Sequence, residues 1–266
     1  MSEMNNKDDV IVQYKDDSKF KKRQNFHDKY SINKYGFRNW MFDKYKIFDG
    51  CKILELGCGN GIMWDEKYKE LPQNVELVIS DFSEGMCNIV KQKHLEHNNV
   101  QVEQIDIQKI PYKDETFDIV IANHMLCHVS DVDKAIEEVH RVLKNNGIFY
   151  ASTLGTNGFQ KYLNQKFKEF NLNMNYFNIE NWSFTLKNGK EVLEKKFNNI
   201  QMDEYKDSIE ISDENVFVEW IFTSVVMQNL DKNQFKGLAQ HFAKDKDEKG
   251  IIHIPKQIGC FIAIKD

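Results

Sequence analysis

ILELGCGNG, residues 53–61, decides the fold of this chain. Its first four residues continue a buried strand that is predicted to begin at Lys52. Glycines at alternate positions then let the backbone turn sharply and approach a ligand where a Cβ atom would collide. An acidic residue, Glu55, precedes the first glycine, Gly57, by two positions. The stretch therefore predicts a strand that ends in a ligand-binding loop.

Short apolar runs alternate with amphipathic stretches on the carboxyl-terminal side of this loop. The runs predict further strands, and apolar residues spaced three and four apart predict a helix over 132–143, capped by Ser130 or Asp131. Strands that alternate with helices form a doubly wound, mostly parallel α/β sheet, and ligands bind beyond the carboxyl ends of its strands. The predicted strands are 52–56, 75–80, 100–105, 117–122 and 148–152, with a helix over 83–97.

The two ends of the chain are less regular. Residues 1–48 are predicted to form a helical arm or lid, and residues 49–266 the α/β domain. Within that domain, residues 156–195 are rich in Asn, Lys, Phe and Tyr, which favours a helical, cap-like insertion over the site. Residues 200–205 and 259–264 predict two more strands, with helical sequence around 215–243.

The composition of the chain argues against several classes of protein. No apolar run approaches the length that spans a bilayer, and the first ten residues lack a secretory pattern, so we expect a cytoplasmic protein without a membrane partner. Five scattered cysteines include no C-x-x-C pair, and the sequence has no H-E-x-x-H motif, so no metal is expected. A net charge of −5 argues against a general affinity for nucleic acid. No obligate protein partner is evident.

Acidic residues close the next two predicted strands. Asp81 lies twenty residues beyond Gly61, the spacing at which a carboxylate accepts both hydroxyl hydrogens of a ribose, and Asp106 closes the third strand. Ile62 stands where the dinucleotide motif needs a third glycine or alanine. The pattern therefore indicates an adenosine-type ligand with a cationic tail. Alternatively, Asp81 caps the helix that begins near Ser83.

With these motifs in place, the chain resembles the class I S-adenosylmethionine-dependent methyltransferases, most closely their small-molecule subgroup. ILELGCGNG, VISDFSEGM and the block from QIDIQKI to IFYAS carry the resemblance, which covers about residues 50–155. It implies a seven-stranded sheet whose last strand, 259–264, is antiparallel. It also implies methyl transfer from S-adenosylmethionine to a small-molecule O, N, S or C nucleophile, with S-adenosylhomocysteine as product.

The resemblance also implies roles for individual residues. Most of them surround the cofactor: Glu55 at the amino group, Gly57, Cys58 and Gly59 at the methionine part, Asp81 at the ribose, Phe82 and Met86 on the adenine faces, Asp106 and the Ile107 backbone at the adenine edge, and Asn123 and His124 beside the sulfonium. Alternatively, Phe82 and Met86 are core residues at helical spacing.

Two features concern the substrate. His128 lies just past the fourth strand, where an imidazole is able to accept a proton as the methyl group arrives, or simply to hydrogen-bond the loop that leads to Asp131. Tyr30, Phe37 and Trp40 are spaced so that one helical face would carry all three as an aromatic lid over substrate or sulfonium. The same aromatics would also serve to pack that helix on the sheet.

Two other functions fit parts of the sequence. Tyr162 and Lys166 have the Tyr-x-x-x-Lys spacing of the short-chain, NAD(P)-dependent oxidoreductases, but the glycine loop of that family is missing, so we interpret the match as chance. A non-catalytic module that binds S-adenosylmethionine and regulates a partner would need the same glycine loop. The preferred hypothesis is a small-molecule methyltransferase.

Overall fold

The computed structural model describes residues 18–93, 99–172, 179–223 and 232–266. Its largest element is a seven-stranded sheet in the order β3-β2-β1-β4-β5-β9-β6, in which β9 runs antiparallel to both neighbours. The predicted fold class is confirmed, including the antiparallel strand. The strands of this sheet are β1 Lys52–Leu56, β2 Glu76–Asp81, β3 Val100–Gln104, β4 Phe117–Asn123, β5 Leu143–Leu154, β6 Asn199–Tyr205 and β9 Ile258–Ile264.

Helices cover both faces of the large sheet. Helix α4 shows why they form: Asp131 caps it by accepting the Lys134 N–H at 3.0 Å, and its apolar face is completely buried. Asp131, one of the two predicted caps, is thus the residue used. The described helices are α1 Ser18–Tyr30, α2 Phe37–Phe42, α3 Glu84–Lys93, α4 Val132–Val142, α5 Phe159–Glu169, α6 Gly189–Leu193, α7 Glu214–Ile221 and α8 Lys232–Ala243.

The sheet has a hydrophobic core on each face. Successive residues of a strand point to opposite faces, so Leu54 joins the core beneath α4 while Ile53 joins the core on the other face. Both side chains are fully buried. A parallel strand covered on both sides reads as a continuous apolar run, which is how β1 was recognised in the sequence.

A third core lies away from the sheet, and we call the elements around it the cap. The cap consists of α5, α7, α8 and a two-stranded antiparallel sheet of β7 (Ser208–Ile211) and β8 (Ile252–Pro255), with Phe26 of α1 packed into it. The sequence analysis did not predict this small sheet. Residues 173–178 of the segment predicted as an insertion, 156–195, lie outside the described residues. In the rest of the segment, α5 packs in the cap, whereas Phe184 and Leu193 pack against the large sheet.

The arm that precedes β1 contains two helices. Tyr30 ends α1 and packs on Phe26, whereas Phe37 and Trp40 lie on α2. Between them, Ser31 bridges to β7 and Gly36 takes a left-handed φ of 85°. The prediction that one helical face carries all three aromatics is therefore wrong, because the chain leaves the helix after Tyr30. None of the described helices is both long enough and apolar enough to cross a bilayer.

Candidate functional site

The loop after β1 requires glycine. Gly57, Gly59 and Gly61 all have left-handed φ angles, of 70°, 57° and 74°. A Cβ atom on Gly57 would lie 2.6 Å from the Met125 Cβ, and one on Gly61 would lie 2.9 Å from a Val90 methyl group. The loop is thus held close to its neighbours in a conformation that other residues adopt only with strain.

Glu55 is an acid buried beside this loop. Its side chain accepts a hydrogen bond from the Trp64 indole N–H at 2.7 Å. Burial raises the pKa of Glu55 to about 7, and the negative charge of Asp81 acts in the same direction. Among the described residues no cation forms an ion pair with it, so the carboxyl group has hydrogen bonds but no counter-charge.

Asp81 holds two loops together at the end of β2. One carboxylate oxygen accepts the Ser83 N–H at 2.8 Å and the other accepts the Gly59 N–H at 2.8 Å. Burial raises the pKa of Asp81 to about 6. The residue that caps α3 is Ser83, whose hydroxyl accepts the Met86 N–H at 3.3 Å. Asp81 therefore orders the glycine loop, and the capping role considered for it falls to its neighbour.

The residues predicted around an adenine lie next to Asp81. The Asp81 carbonyl accepts the Ile105 N–H at 3.1 Å, which joins the ends of β2 and β3. Asp106 accepts the Gln108 N–H at 2.9 Å. Phe82 is half-buried, whereas Met86 and Ile107 are buried. The structure therefore brings these residues close to Asp81 at the carboxyl ends of the parallel strands, which we call the sheet edge. Their roles stay predictions.

Asn123 and His124 follow β4 at the centre of that edge. The Asn123 amide donates to the Tyr45 hydroxyl at 2.8 Å and accepts from Ser152 at 3.0 Å. His124 has a φ of 52°, uncommon for a residue other than glycine, and its ring contacts that of Phe37 at 4.8 Å. Burial, followed by the charge of Lys256, lowers the pKa of His124 to about 4, so its ring is neutral at pH 7.

His128 lies in the short 3₁₀ turn Leu126–His128 that follows. Its backbone N–H donates to the Met125 carbonyl at 2.9 Å, and its side chain is half-buried. The charge of His128 contributes to the lowered pKa of His124, which indicates that the two rings are near each other. A role for His128 as a base stays a prediction.

A cavity of about 540 Å³ lies between the arm, the segment after the glycine loop and the cap. Phe37 lines it, but Tyr30, Trp40 and His128 are not among its described lining residues. The sequence analysis missed the polar residues of this cavity, among them His27, Ser31, Tyr205, Asp207 and Lys256. No motif marks them in the sequence, since they come from three separate segments.

The Tyr-x-x-x-Lys match belongs to the cap. The Tyr162 hydroxyl donates to one carboxylate oxygen of Asp245 at 2.8 Å, and the Lys166 ammonium donates to the other at 2.7 Å. The Tyr162 ring packs against that of Phe242 in the cap core. Both side chains therefore have a structural task, as expected for a chance match.

The chemistry of the sheet edge fits one kind of ligand. Two buried acids without a described counter-charge suit a ligand that brings an ammonium group and hydroxyl hydrogens, and the close glycine loop suits a ligand that touches backbone. Among the described residues, no group of three or more His, Cys, Asp or Glu side chains is placed to hold a metal ion. A pyrophosphate would meet the negative charge of Glu55 instead of a favourable partner.

Comparison with known proteins agrees with this geometry. Residues 54–151 match the family model described as a methyltransferase domain. By this match, residues 54–151 form a methyltransferase domain. The match runs from β1 through β5 and so includes every predicted cofactor residue of the sheet edge.

One curated relative and two solved structures illustrate what the chain is similar to. A demethylmenaquinone methyltransferase from Lactobacillus johnsonii is 32% identical over 115 residues, which are 42% of this chain and 47% of that protein. The chain thus spans less than half the length of that relative. The YcgJ protein from Bacillus subtilis superposes with a TM-score of 0.61 at 18% identity, covering 86% of this chain and 97% of that one. A SAM-dependent methyltransferase from Aquifex aeolicus gives 0.56 at 14% identity, covering 94% and 99%.

Proposed function

We propose that this protein transfers a methyl group from S-adenosylmethionine to a small-molecule nucleophile. The observation that carries the proposal is the pair of acids beside the glycine loop, the buried Glu55 and the half-buried Asp81, for which the described part of the chain supplies no cation. A relative named as a demethylmenaquinone methyltransferase supports the class of acceptor.

The residues of the sheet edge divide the task of holding the cofactor. Glu55 would accept the ammonium group of the methionine part, and the open backbone of Gly57 and Gly59 would let that part approach closely. Asp81 would use its remaining lone pairs for the ribose hydroxyls. A carboxylate oxygen accepts more than one hydrogen bond, so this task is compatible with the bonds from Gly59 and Ser83.

When bound, the cofactor supplies an electrophilic methyl group on a sulfonium centre. The protein then has to align the acceptor in line with that group, exclude water and, where the acceptor is protonated, remove a proton. Asn123 and neutral His124 form the end of β4 at which this alignment would occur. His128, on the next turn, is the proposed base.

The test begins with cofactor binding. S-adenosylhomocysteine should raise the melting temperature of the protein and NADH should not, because only a ligand of the folded state stabilises it. Incubation with methyl-labelled S-adenosylmethionine and demethylmenaquinone, and separately with a small-molecule extract, should then move the label to a metabolite. Stabilisation by NADH alone would support an oxidoreductase, and binding without any transfer of label would support a non-catalytic module.

We also propose the cytoplasm as the location of the protein. All five cysteines are free and buried in the structure. Unpaired thiols are typical of reducing compartments, whereas secreted proteins form disulfides.

A further inference from the structure

A second buried charged cluster lies in the cap, apart from the acids of the sheet edge. The Lys256 ammonium forms an ion pair with Asp207 and donates to the Ser31 hydroxyl at 2.9 Å. Asp207 precedes β7 and Lys256 follows β8, and the register that pairs Ser208 with Pro255 places the two side by side. The cluster therefore belongs to the fold of the cap and is fixed before any ligand binds.

The cluster presents its positive side to the cavity. The Asp207 side chain is completely covered, whereas that of Lys256 is 7% exposed. Asp207 also accepts the Asn33 backbone N–H at 3.1 Å, so its charge is shared between two donors. Of the three N–H groups of Lys256, two have partners among the described residues. The third, with the O–H of Ser31, is available to an acceptor in the cavity.

The walls beside this positive end are flat and aromatic. The rings of Phe37 and Tyr205 meet edge-to-face at 5.6 Å, and both line the cavity with His27. Burial and the charge of Lys256 lower the pKa of His27 to about 3, which leaves its ring uncharged at pH 7. The His27 Nδ1 atom is buried, and no described residue hydrogen-bonds to it. The cavity is also lined by exposed acids, among them Asp28, Glu66 and Glu70. Its aromatic part, which adjoins the Lys256 ammonium group, suits a flat molecule with one anionic end.

One wall of the cavity adjoins the proposed position of methyl transfer. Phe37 lines the cavity on one side and contacts the His124 ring on the other, at 4.8 Å. The charge of Lys256 is one of the causes of the lowered pKa of His124. The cationic end of the cavity and the end of β4 are therefore within electrostatic range of each other.

We propose that this cavity binds the methyl acceptor, and that the acceptor is a flat small molecule with a carboxylate or another anionic oxygen, which Lys256 and Ser31 anchor. The inference rests on the proposed function, since it names the substrate class of the same active site. A hydrogen bond from an ammonium group to an anionic oxygen is about twice as strong as one between neutral groups, so the anchor would select for charge.

A matched pair of probes tests the charge preference. Benzoate and benzamide have the same size and shape, and only benzoate carries the anionic oxygen. Their dissociation constants are measured by NMR titration, with and without saturating S-adenosylhomocysteine. The wild-type protein should bind benzoate about tenfold more tightly than benzamide.

Three variants test which residues cause the preference for benzoate over benzamide. Lys256→Met should reduce the benzoate-to-benzamide ratio to about 1, and Ser31→Ala, which leaves the ion pair in place, should reduce it about threefold. Lys34→Met removes a positive charge from the exposed rim of the same cavity and should leave the ratio unchanged. Thermal unfolding confirms that each variant is folded, and Ser31→Ala decides if Lys256→Met does not fold.

The other outcomes would overturn either the inference or the proposed function. Equal binding of the two probes by the wild type, or an unchanged ratio in both Lys256→Met and Ser31→Ala, would overturn the inference. Weaker binding of S-adenosylhomocysteine to Lys256→Met would also overturn it, because the anchor would then hold the cofactor. Failure of the wild type to bind S-adenosylhomocysteine at all would instead remove the proposed function, and the titration without cofactor would still report on the cavity.

Discussion

The sheet edge and the cap both bury charged side chains, but only the cap neutralises them. At the sheet edge, Glu55 and Asp81 are surrounded by hydrogen-bond donors, and burial raises the pKa of both. In the cap, Asp207 is covered more completely and has Lys256 as its counter-ion. Buried charges are stable when they are paired, so an acid without a counter-ion indicates a site at which a ligand supplies the opposite charge.

Of the variants considered below, one that breaks the Lys256–Asp207 ion pair of the cap should have the largest effect on the free energy of unfolding. Asp207→Asn leaves the Lys256 ammonium buried without its counter-ion, and we expect the free energy of unfolding to fall by about 3–5 kcal/mol. Urea unfolding measures the loss. The double variant Lys256→Met/Asp207→Leu should recover most of it, because neither charge remains.

A surface pair provides the control. Lys195 contacts Asp133 with both side chains more than half exposed, and Lys195→Met should cost at most about 1 kcal/mol. Equal losses for the two pairs would show that burial does not distinguish the cap from the surface.

The pH dependence of stability tests the unpaired acid Glu55 at the sheet edge. The folded protein holds the Glu55 proton up to about pH 7, whereas the unfolded chain loses it near pH 4.5. The stabilising effect of the bound proton is therefore complete below pH 4.5 and is lost as the pH rises through 7. Without ligand, this group should lower the free energy of unfolding by on the order of 3 kcal/mol across that range.

Urea unfolding between pH 5 and 8 measures this effect, and Glu55→Gln is the matched variant. The variant should lose stability less steeply than the wild type as the pH rises. S-adenosylhomocysteine should reduce the slope in the wild type alone, since its ammonium group favours the ionised acid. Identical slopes for the two proteins would show that Glu55 does not titrate in this range.

Removal of the charge of Asp81 should weaken cofactor binding. Asp81→Asn removes the anionic acceptor for the ribose, and we expect the dissociation constant of S-adenosylhomocysteine to rise about 10- to 100-fold by calorimetry. Glu76→Gln changes an exposed acid at the opposite end of the same strand and should alter it less than twofold. An unchanged affinity in Asp81→Asn would argue against the proposed cofactor site.

The smallest effect is expected in the cap core, at Tyr162. Tyr162→Phe removes the hydrogen bond to Asp245 and should lower the free energy of unfolding by about 1 kcal/mol. The affinity for S-adenosylhomocysteine should not change, because the ring lies in the cap core. A fall in cofactor affinity would mean that the cap core and the sheet edge are coupled.

The same comparison shows what sequence reasoning was able to reach. At the sheet edge, each of the predicted acids lies at or near the carboxyl end of a strand that the sequence pattern predicts, and consecutive parallel strands end at the same edge. Glu55, Asp81 and Asp106 were therefore predicted together from local signals. The antiparallel last strand came from the family resemblance, and the pairing of β9 with β5 and β6 confirms it.

The cap gave no comparable signal. Its two strands are four residues each and lie forty residues apart in the chain, so no turn motif links them. Without that pairing, Asp207 and Lys256 have no visible connection, and the cavity they line could not be predicted. The prediction of one aromatic helical face was wrong for a similar reason, because residues 31–36 leave the helix and separate two helices that the spacing alone would merge.

The way in which the arm is fastened to the cap bears on the rate of turnover. The hydrogen bonds of this seam include Ile32 N–H to the Ser208 carbonyl at 2.9 Å, and Asn33 to Asp207 at 3.1 Å and to Lys206 at 2.9 Å. Since the arm lines the cavity, parting of this seam would widen the route for ligand exchange, and we expect release to compete with chemistry as the slow step. Deuterium uptake at the Ile32 amide would report each opening, and it should slow when the cavity is filled.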